Sequence, residues 1–463
     1  MEMAIGILLL LSFFGLAWYC IKGYNLMIGF LLISVLWAVL SLGGTVLASP
    51  DFLAQNEILQ FGGDSGTTLV AILNKIYQAA PESWGTTLVN VCWGAWFGRV
   101  LMETGIASTL IRKVVELGGD RPMVTIVLLD IVTAAIFTAM TGAGPVIAIG
   151  VIVLPILMSL GVPKPIALFT FMEAVAAGIY LNPVNFAQYR AFFIDPNVMP
   201  DFTLGWYAGK WGYFAVVISL IATIVLTGIF LSRSKKSHAW AAQAAGQAQQ
   251  NAPVYTLILP IVPVVLKIAF DFSVIGGFVI SGMLALLLCG KMKGGFQQTC
   301  QLVNKLFYDG VVDTAPLIGF LLTLPMFNVA ANYAAPYFKV VIGPIMPNTE
   351  LVVCIVFAVL LGFGLFRGPM TLVGCGAATL GVLSRVASFS VPFLYSVFAI
   401  PTITVNIGSC ITQSWVAWGL AYTKVESKDF LKLSIPMAYL AGVALYIMTF
   451  FTVTGLGAEW FVG

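Results

Sequence analysis

Residues 123–160 read MVTIVLLDIVTAAIFTAMTGAGPVIAIGVIVLPILMSL, two apolar runs joined by Thr141-Gly142-Ala143-Gly144-Pro145 and interrupted by one charge, Asp130. Each run approaches the roughly 17–25 residues that cross a bilayer as a helix. The joint is too short to need an aqueous loop. Glycine and proline there end one helix and begin the next, because Pro lacks an N–H that a first helical turn leaves unpaired anyway. Such a joint reads as the tip of a hairpin within the membrane, with the free N–H groups after Pro145 presenting a positive helix end to an anionic group.

Working outward, similar apolar runs fall at 3–21, 24–47, 88–111, 166–181 and 204–231, and after a break at 254–270, 274–290, 311–329, 351–365, 370–383, 391–405 and 433–454. The composition agrees: 60% of residues are hydrophobic, 9% are charged, and mean hydropathy is +1.00. That excludes an ordinary soluble enzyme. The expectation is an all-α polytopic protein of the cytoplasmic (inner) membrane with about 12–14 transmembrane segments. The run at 3–21 lacks a basic leader and a cleavage site, so it reads as a retained helix. The net charge of +3 forms no basic stripe, so nucleic acid is not expected as a partner. Seven scattered cysteines without a CxxC give no disulfide and no metal site.

The break at 232–252 is a polar, Ala/Gln-rich linker opened by Arg233, Lys235 and Lys236. It separates a first membrane repeat, 1–231, from a second, 253–463. Seven runs in each half make the second half start from the opposite side, so the halves are expected to be inverted repeats. With the N-terminus outside, most basic residues fall in cytoplasmic segments and only Lys75, Arg190, Lys210, Lys339 and Arg385 fall outside, as the positive-inside rule requires. The halves also share landmarks. Gly144-Pro145 is matched by Gly368-Pro369 in Leu365-Phe366-Arg367-Gly368-Pro369, an Asn lies 37 residues after each Pro (Asn182, Asn406), and Gln188 and Gln413 follow at offsets of 43 and 44.

Enzyme chemistry finds little support. The single histidine, His238, lies in the linker, no HExxH or P-loop pattern occurs, and no cofactor is expected. The interrupted segments are the better candidates. Thr141, Gly142, Gly144 and Pro145 at the first tip, and Arg367 and Gly368 at the second, are expected to frame a substrate site. Asn182, Asn185, Asn406 and Ser409 add amides and a hydroxyl at the ends of apolar runs, able to bind substrate or Na⁺ or simply to cap helices. A guanidinium beside a helix-breaking Gly-Pro is costly in hydrocarbon unless it faces a cavity or an anion; its alternative is an internal pair with Asp130 or Asp313. Among acids in apolar surroundings, Arg99 and Glu103 lie one turn apart and are expected to neutralise each other. Glu173 has no basic residue within a turn and is the leading proton-coupling candidate, followed by Asp130 and Asp313.

The segment Trp93-Gly94-Ala95-Trp96-Phe97-Gly98-Arg99-Val100-Leu101-Met102-Glu103-Thr104-Gly105-Ile106-Ala107, with Leu110-Ile111, Leu117-Gly118 and the later Val151-Ile152-Val153-Leu154-Pro155, resembles gluconate permeases of the ion transporter superfamily. The resemblance covers roughly 91–161, and citrate and dicarboxylate carriers of the superfamily are similar too. It implies a secondary carrier for a small organic anion, a sugar acid or hydroxy acid, with a scaffold part and a moving part. By the same analogy a homodimer forms through 3–21 and 254–270. The chain lacks the Ser-Asn-Thr tips of sodium-coupled dicarboxylate carriers, which favours H⁺ over Na⁺ as the coupling ion. A sodium-coupled dicarboxylate or citrate carrier and a passive channel are the alternatives.

Overall fold

The computed structural model describes the chain except residues 23, 63–66, 120, 194–200, 234–250, 346, 387–388 and 455–463. Most of the linker, with His238, lies outside the described residues. In chain order the helices that matter are α1 (Glu2–Ile21), α2 (Leu26–Gly44), α3 (Gly85–Glu103), α4 (Ile106–Gly118), α5 (Pro122–Phe137), α6 (Ala143–Ser159), α7 (Lys164–Ile179), α8 (Pro183–Arg190) and α9 (Tyr213–Arg233). There follow α10 (Val262–Phe270), α11 (Val274–Leu288), α12 (Phe296–Ile342), α13 (Glu350–Val359), α14 (Gly376–Val386), α15 (Val391–Ile400), α16 (Ser414–Thr423) and α17 (Ser427–Val453). No strand occurs among the described residues.

Six helical stretches are by themselves long and apolar enough to cross a membrane, and two bent pairs bring the number to eight: α7 with α8, bent by 67°, and α13 with Leu361–Arg367, bent by 62°. α5, α6 and α11 are apolar but shorter. The protein is an all-helical, multi-pass membrane protein. Some runs divide differently from the sequence reading. The run at 311–329 is the middle of one 47-residue helix, α12. The run at 391–405 continues as a wide π-type turn, Pro401–Ser409, and α16 falls outside the expected runs altogether.

Two groups of helices pack around one cavity. α12 lies against α1, α2, α3 and α14. In the other group α7 is central, packed against α5, α6, α9, α16, α17 and the Pro401–Ser409 turn. The stretch Val391–Thr423 has 94% of its most apolar window buried inside the protein. An apolar helix buried on all sides is one surrounded by other helices rather than by lipid. Both halves run in the same order: a tip, a broken helix, then a long helix, α9 in the first and α17 in the second, and these two long helices touch.

The breaks are local chemistry. Asn182 accepts hydrogen bonds from the N–H groups of Val184 (3.0 Å) and Asn185 (3.2 Å), and Pro183 occupies the first position of α8. That is a helix N-cap buried in the protein interior. At the first tip Gly142 has φ 95°, a backbone that suits glycine. At the second, Phe366 and Arg367 stand at φ 54° and 58°.

Candidate functional site

Both tips and both breaks open onto one cavity of about 510 Å³. The first tip contributes Thr141, Gly142 and Ala143, and α8 contributes Asn185, Gln188 and Tyr189. The second tip contributes Arg367 and Val373, and the second break Ile407, Thr412, Gln413, Ser414 and Trp415. The facing wall comes from α12, Asp313 to Phe320, and from Tyr24, Asn25 and Met27 at the head of α2. A second, smaller cavity of about 250 Å³, lined by Ala135, Thr138, Leu181, Tyr213, Val264 and Ile268 among others, is almost wholly apolar.

The cation of this site is held by its own half. Arg367 donates from Nη1 to Val373 O and from Nη2 to Gln413 Oε1, both at 3.3 Å. Gln413 Nε2 donates to Asn406 Oδ1. The tip is fastened around it: Phe366 N–H meets Cys410 Sγ at 3.1 Å, Cys375 N–H donates to Arg367 O at 3.0 Å, and Gly368 N–H to Leu365 O at 3.0 Å. A guanidinium fixed by neutral acceptors in a polar recess can meet a carboxylate with a planar fork of donors.

On the facing wall Asp313 forms a two-pronged pair with Arg99, Nε to Oδ2 and Nη2 to Oδ1, each at 2.6 Å. This corrects two expectations. Arg99 does not neutralise Glu103, one turn away; it reaches α12, 214 residues on, and Glu103 accepts instead from Lys291 at 3.3 Å. Asp313 is engaged in an ion pair with Arg99 rather than standing alone among apolar groups. The pair also meets the first tip, where a Cβ on Gly144 would stand 2.2 Å from Asp313 Oδ2. Glycine is needed there for clearance.

The remaining candidates divide into those at the cavity and those behind its wall. Thr141, Gly142, Asn185 and Arg367 line it. Gly144, Pro145 and Gly368 shape the tips. Asn182 is spent on structure: its Nδ2 donates to Phe137 O and Met140 O, both at 3.0 Å, so one amide ties the end of α5 to the start of α8. Asn406 and Ser409 lie behind Ile407, both fully buried. Ser409 Oγ donates to Glu173 Oε1 at 2.7 Å. Glu173 has no exposure, its Oε2 has no hydrogen-bond partner among the described residues, and a Cβ on Gly408 would stand 2.5 Å from that oxygen. Asp130 lies elsewhere, accepting from Thr170 Oγ1 at 2.7 Å, while Thr227 Oγ1 reaches Thr170 Oγ1 at 3.3 Å. That three-residue set joins α5, α7 and α9 away from the cavity.

Tyr24, Asn25, Tyr189 and Trp415 are lining residues that sequence reasoning did not single out. Only Gln188 and Gln413 carried a signal, their matched offsets from the two Gly-Pro pairs.

Among solved structures, the chain is similar to the crystal structure of the YdaH transporter of Alcanivorax borkumensis, described as having an unusual topology. The likeness covers 93% of this chain and 99% of that one, with a TM-score of 0.54 and 13% identity. This chain has the fold of a membrane transporter. No protein-family model matches it, and no curated protein does. The likeness thus supports a transporter fold, without singling out gluconate permeases.

Proposed function

We propose that this protein is a secondary active transporter of the cytoplasmic membrane, gluconate permease-like, which carries a small organic anion together with protons. One observation carries the reading: both helix breaks and both tips, from opposite halves of the chain, converge on a single cavity that contains Arg367, has the Arg99-paired carboxylate of Asp313 on its facing wall, and is lined otherwise by amides, hydroxyls, aromatic rings and aliphatic side chains. Broken helices meeting at a central cavity are the recurring architecture of secondary carriers. Arg367 binds the carboxylate of a sugar acid or hydroxy acid, the amides of Asn185 and Gln188 bind its hydroxyls, and the aromatic faces cover its carbon chain.

Glu173 carries the coupled proton. A buried carboxylate that, among the described residues, is met by one serine hydroxyl costs several kcal/mol as an anion unless it is paired or protonated. It sits on α7, one layer behind the substrate cavity, against the turn that bears Asn406 and runs on to Gln413. The two halves, 1–231 and 253–463, act as inverted repeats joined by a cytoplasmic linker at 232–252, and α1 with the 254–270 segment forms a homodimer surface.

The decisive experiment is uptake into proteoliposomes of gluconate, glycerate, lactate, citrate and succinate, each with a pH gradient or with a Na⁺ gradient alone. The reading expects accumulation of a hydroxylated monocarboxylate driven by the pH gradient. Accumulation driven by Na⁺ alone would move the assignment to a sodium-coupled carrier, and flux that never runs uphill would make the protein a channel.

A further inference from the structure

A guanidinium donates hydrogen bonds and accepts none, and this sets the direction of every bond behind Arg367. Because Nη2 donates to Gln413 Oε1, the Gln413 amide must turn its NH₂ the other way, where it donates to Asn406 Oδ1. The reverse orientation would set N–H against N–H. Gln413 is buried and Asn406 fully so, and Asn406 Nδ2, at the end of the series, has no partner among the described residues. The direction of the whole series is dictated from the cavity inward. It ends in the same nine-residue turn, Pro401–Ser409, whose Gly408 and Ser409 press on Glu173.

We propose that Gln413 is the positioning residue for anion binding: its neutral carbonyl aims the Arg367 guanidinium into the cavity. The inference rests on Arg367 being the anion anchor. An amide meets two needs at once. Its oxygen holds the guanidinium by a hydrogen bond, and it adds no negative charge that would compete with the substrate for the same donors. A carboxylate of the same length would hold Arg367 more strongly and lose the substrate.

The test uses the full-length protein in proteoliposomes, with equal pH on both sides and radiolabelled gluconate, or the acid from the panel with the fastest exchange. For Gln413→Glu, KM should rise about tenfold or more over wild type from about pH 5 to pH 8, because the ion pair with Arg367 keeps the introduced carboxylate charged and occupies the guanidinium. Vmax should change little. Gln413→Met, of similar volume but without the carbonyl, should raise KM by the same factor at every pH. A packing role does not move KM apart from Vmax. A wild-type KM for Gln413→Glu overturns the proposal, as does a wild-type KM for Gln413→Met, which carries the test should the Glu variant not fold. Arg367→Ala separates the two layers. An unchanged KM there sinks the anion-anchor reading itself, whereas a raised KM beside inert Gln413 variants sinks only the role of Gln413.

Discussion

The two helix breaks contain the same ingredients, an asparagine 37 residues after a Gly-Pro and a glutamine soon after it, yet they are wired differently. Asn182 uses every part of its amide on backbone, two carbonyls at the end of α5 and two N–H groups at the start of α8. Asn406 uses its oxygen on Gln413, and its NH₂ has no partner among the described residues. The first break is thus a rigid joint. The second is a polar connection between the guanidinium at the cavity and the turn beside Glu173. The difference between the two breaks lies in what the amides bond to rather than in where they stand in the sequence.

The sharpest way to break that contrast is at the cavity end. Arg367→Ala should abolish substrate binding while the protein remains folded, judged by monodisperse elution and an intact melting transition. Arg367→Lys should weaken affinity by about 1–3 kcal/mol, the scale of a charge-assisted hydrogen bond. A well-folded Arg367→Ala with unchanged affinity for every acid tested would remove the polar connection from the account.

At the other end of the connection, Glu173→Gln should eliminate accumulation driven by a pH gradient and spare exchange of internal for external substrate, because the amide mimics only the neutral acid. Uphill transport persisting in that variant would hand the coupling role to Asp130.

The asparagines themselves provide the smaller effects. Asn182→Ala strands two carbonyls and two N–H groups in a water-free interior and should cost about 2–4 kcal/mol of stability, read as a lowered melting temperature in detergent. Asn406→Ala removes one hydrogen bond together with an already unpartnered NH₂, and should cost no more than about 1 kcal/mol. Equal melting shifts for the two variants would erase the distinction between joint and connection.

Much of the architecture was legible because membranes write in long apolar runs. The runs at 3–21, 24–47, 123–140, 146–160 and 204–231 correspond to α1, α2, α5, α6 and α9, and the Gly-Pro pairs mark both tips. What stayed hidden was short or distant. α16, ten residues following a break, is below the length at which hydropathy speaks. Arg99 looked committed to Glu103 because i,i+4 neighbours are all that a sequence displays, whereas its partner Asp313 comes from another helix. The backbone role of Asn182 was likewise invisible, since its acceptors Phe137 and Met140 are distant carbonyls that no side-chain pattern records. Gln413 was visible as a landmark, though not as the partner of Arg367.

Phe366 and Arg367 stand in the left-handed region in succession, where each L-residue stores about 1–3 kcal/mol of strain. The second tip is therefore a loaded spring, held closed by the Phe366, Gly368 and Cys375 N–H bonds. A glycine at position 366 would relieve part of that strain at a residue that does not line the cavity.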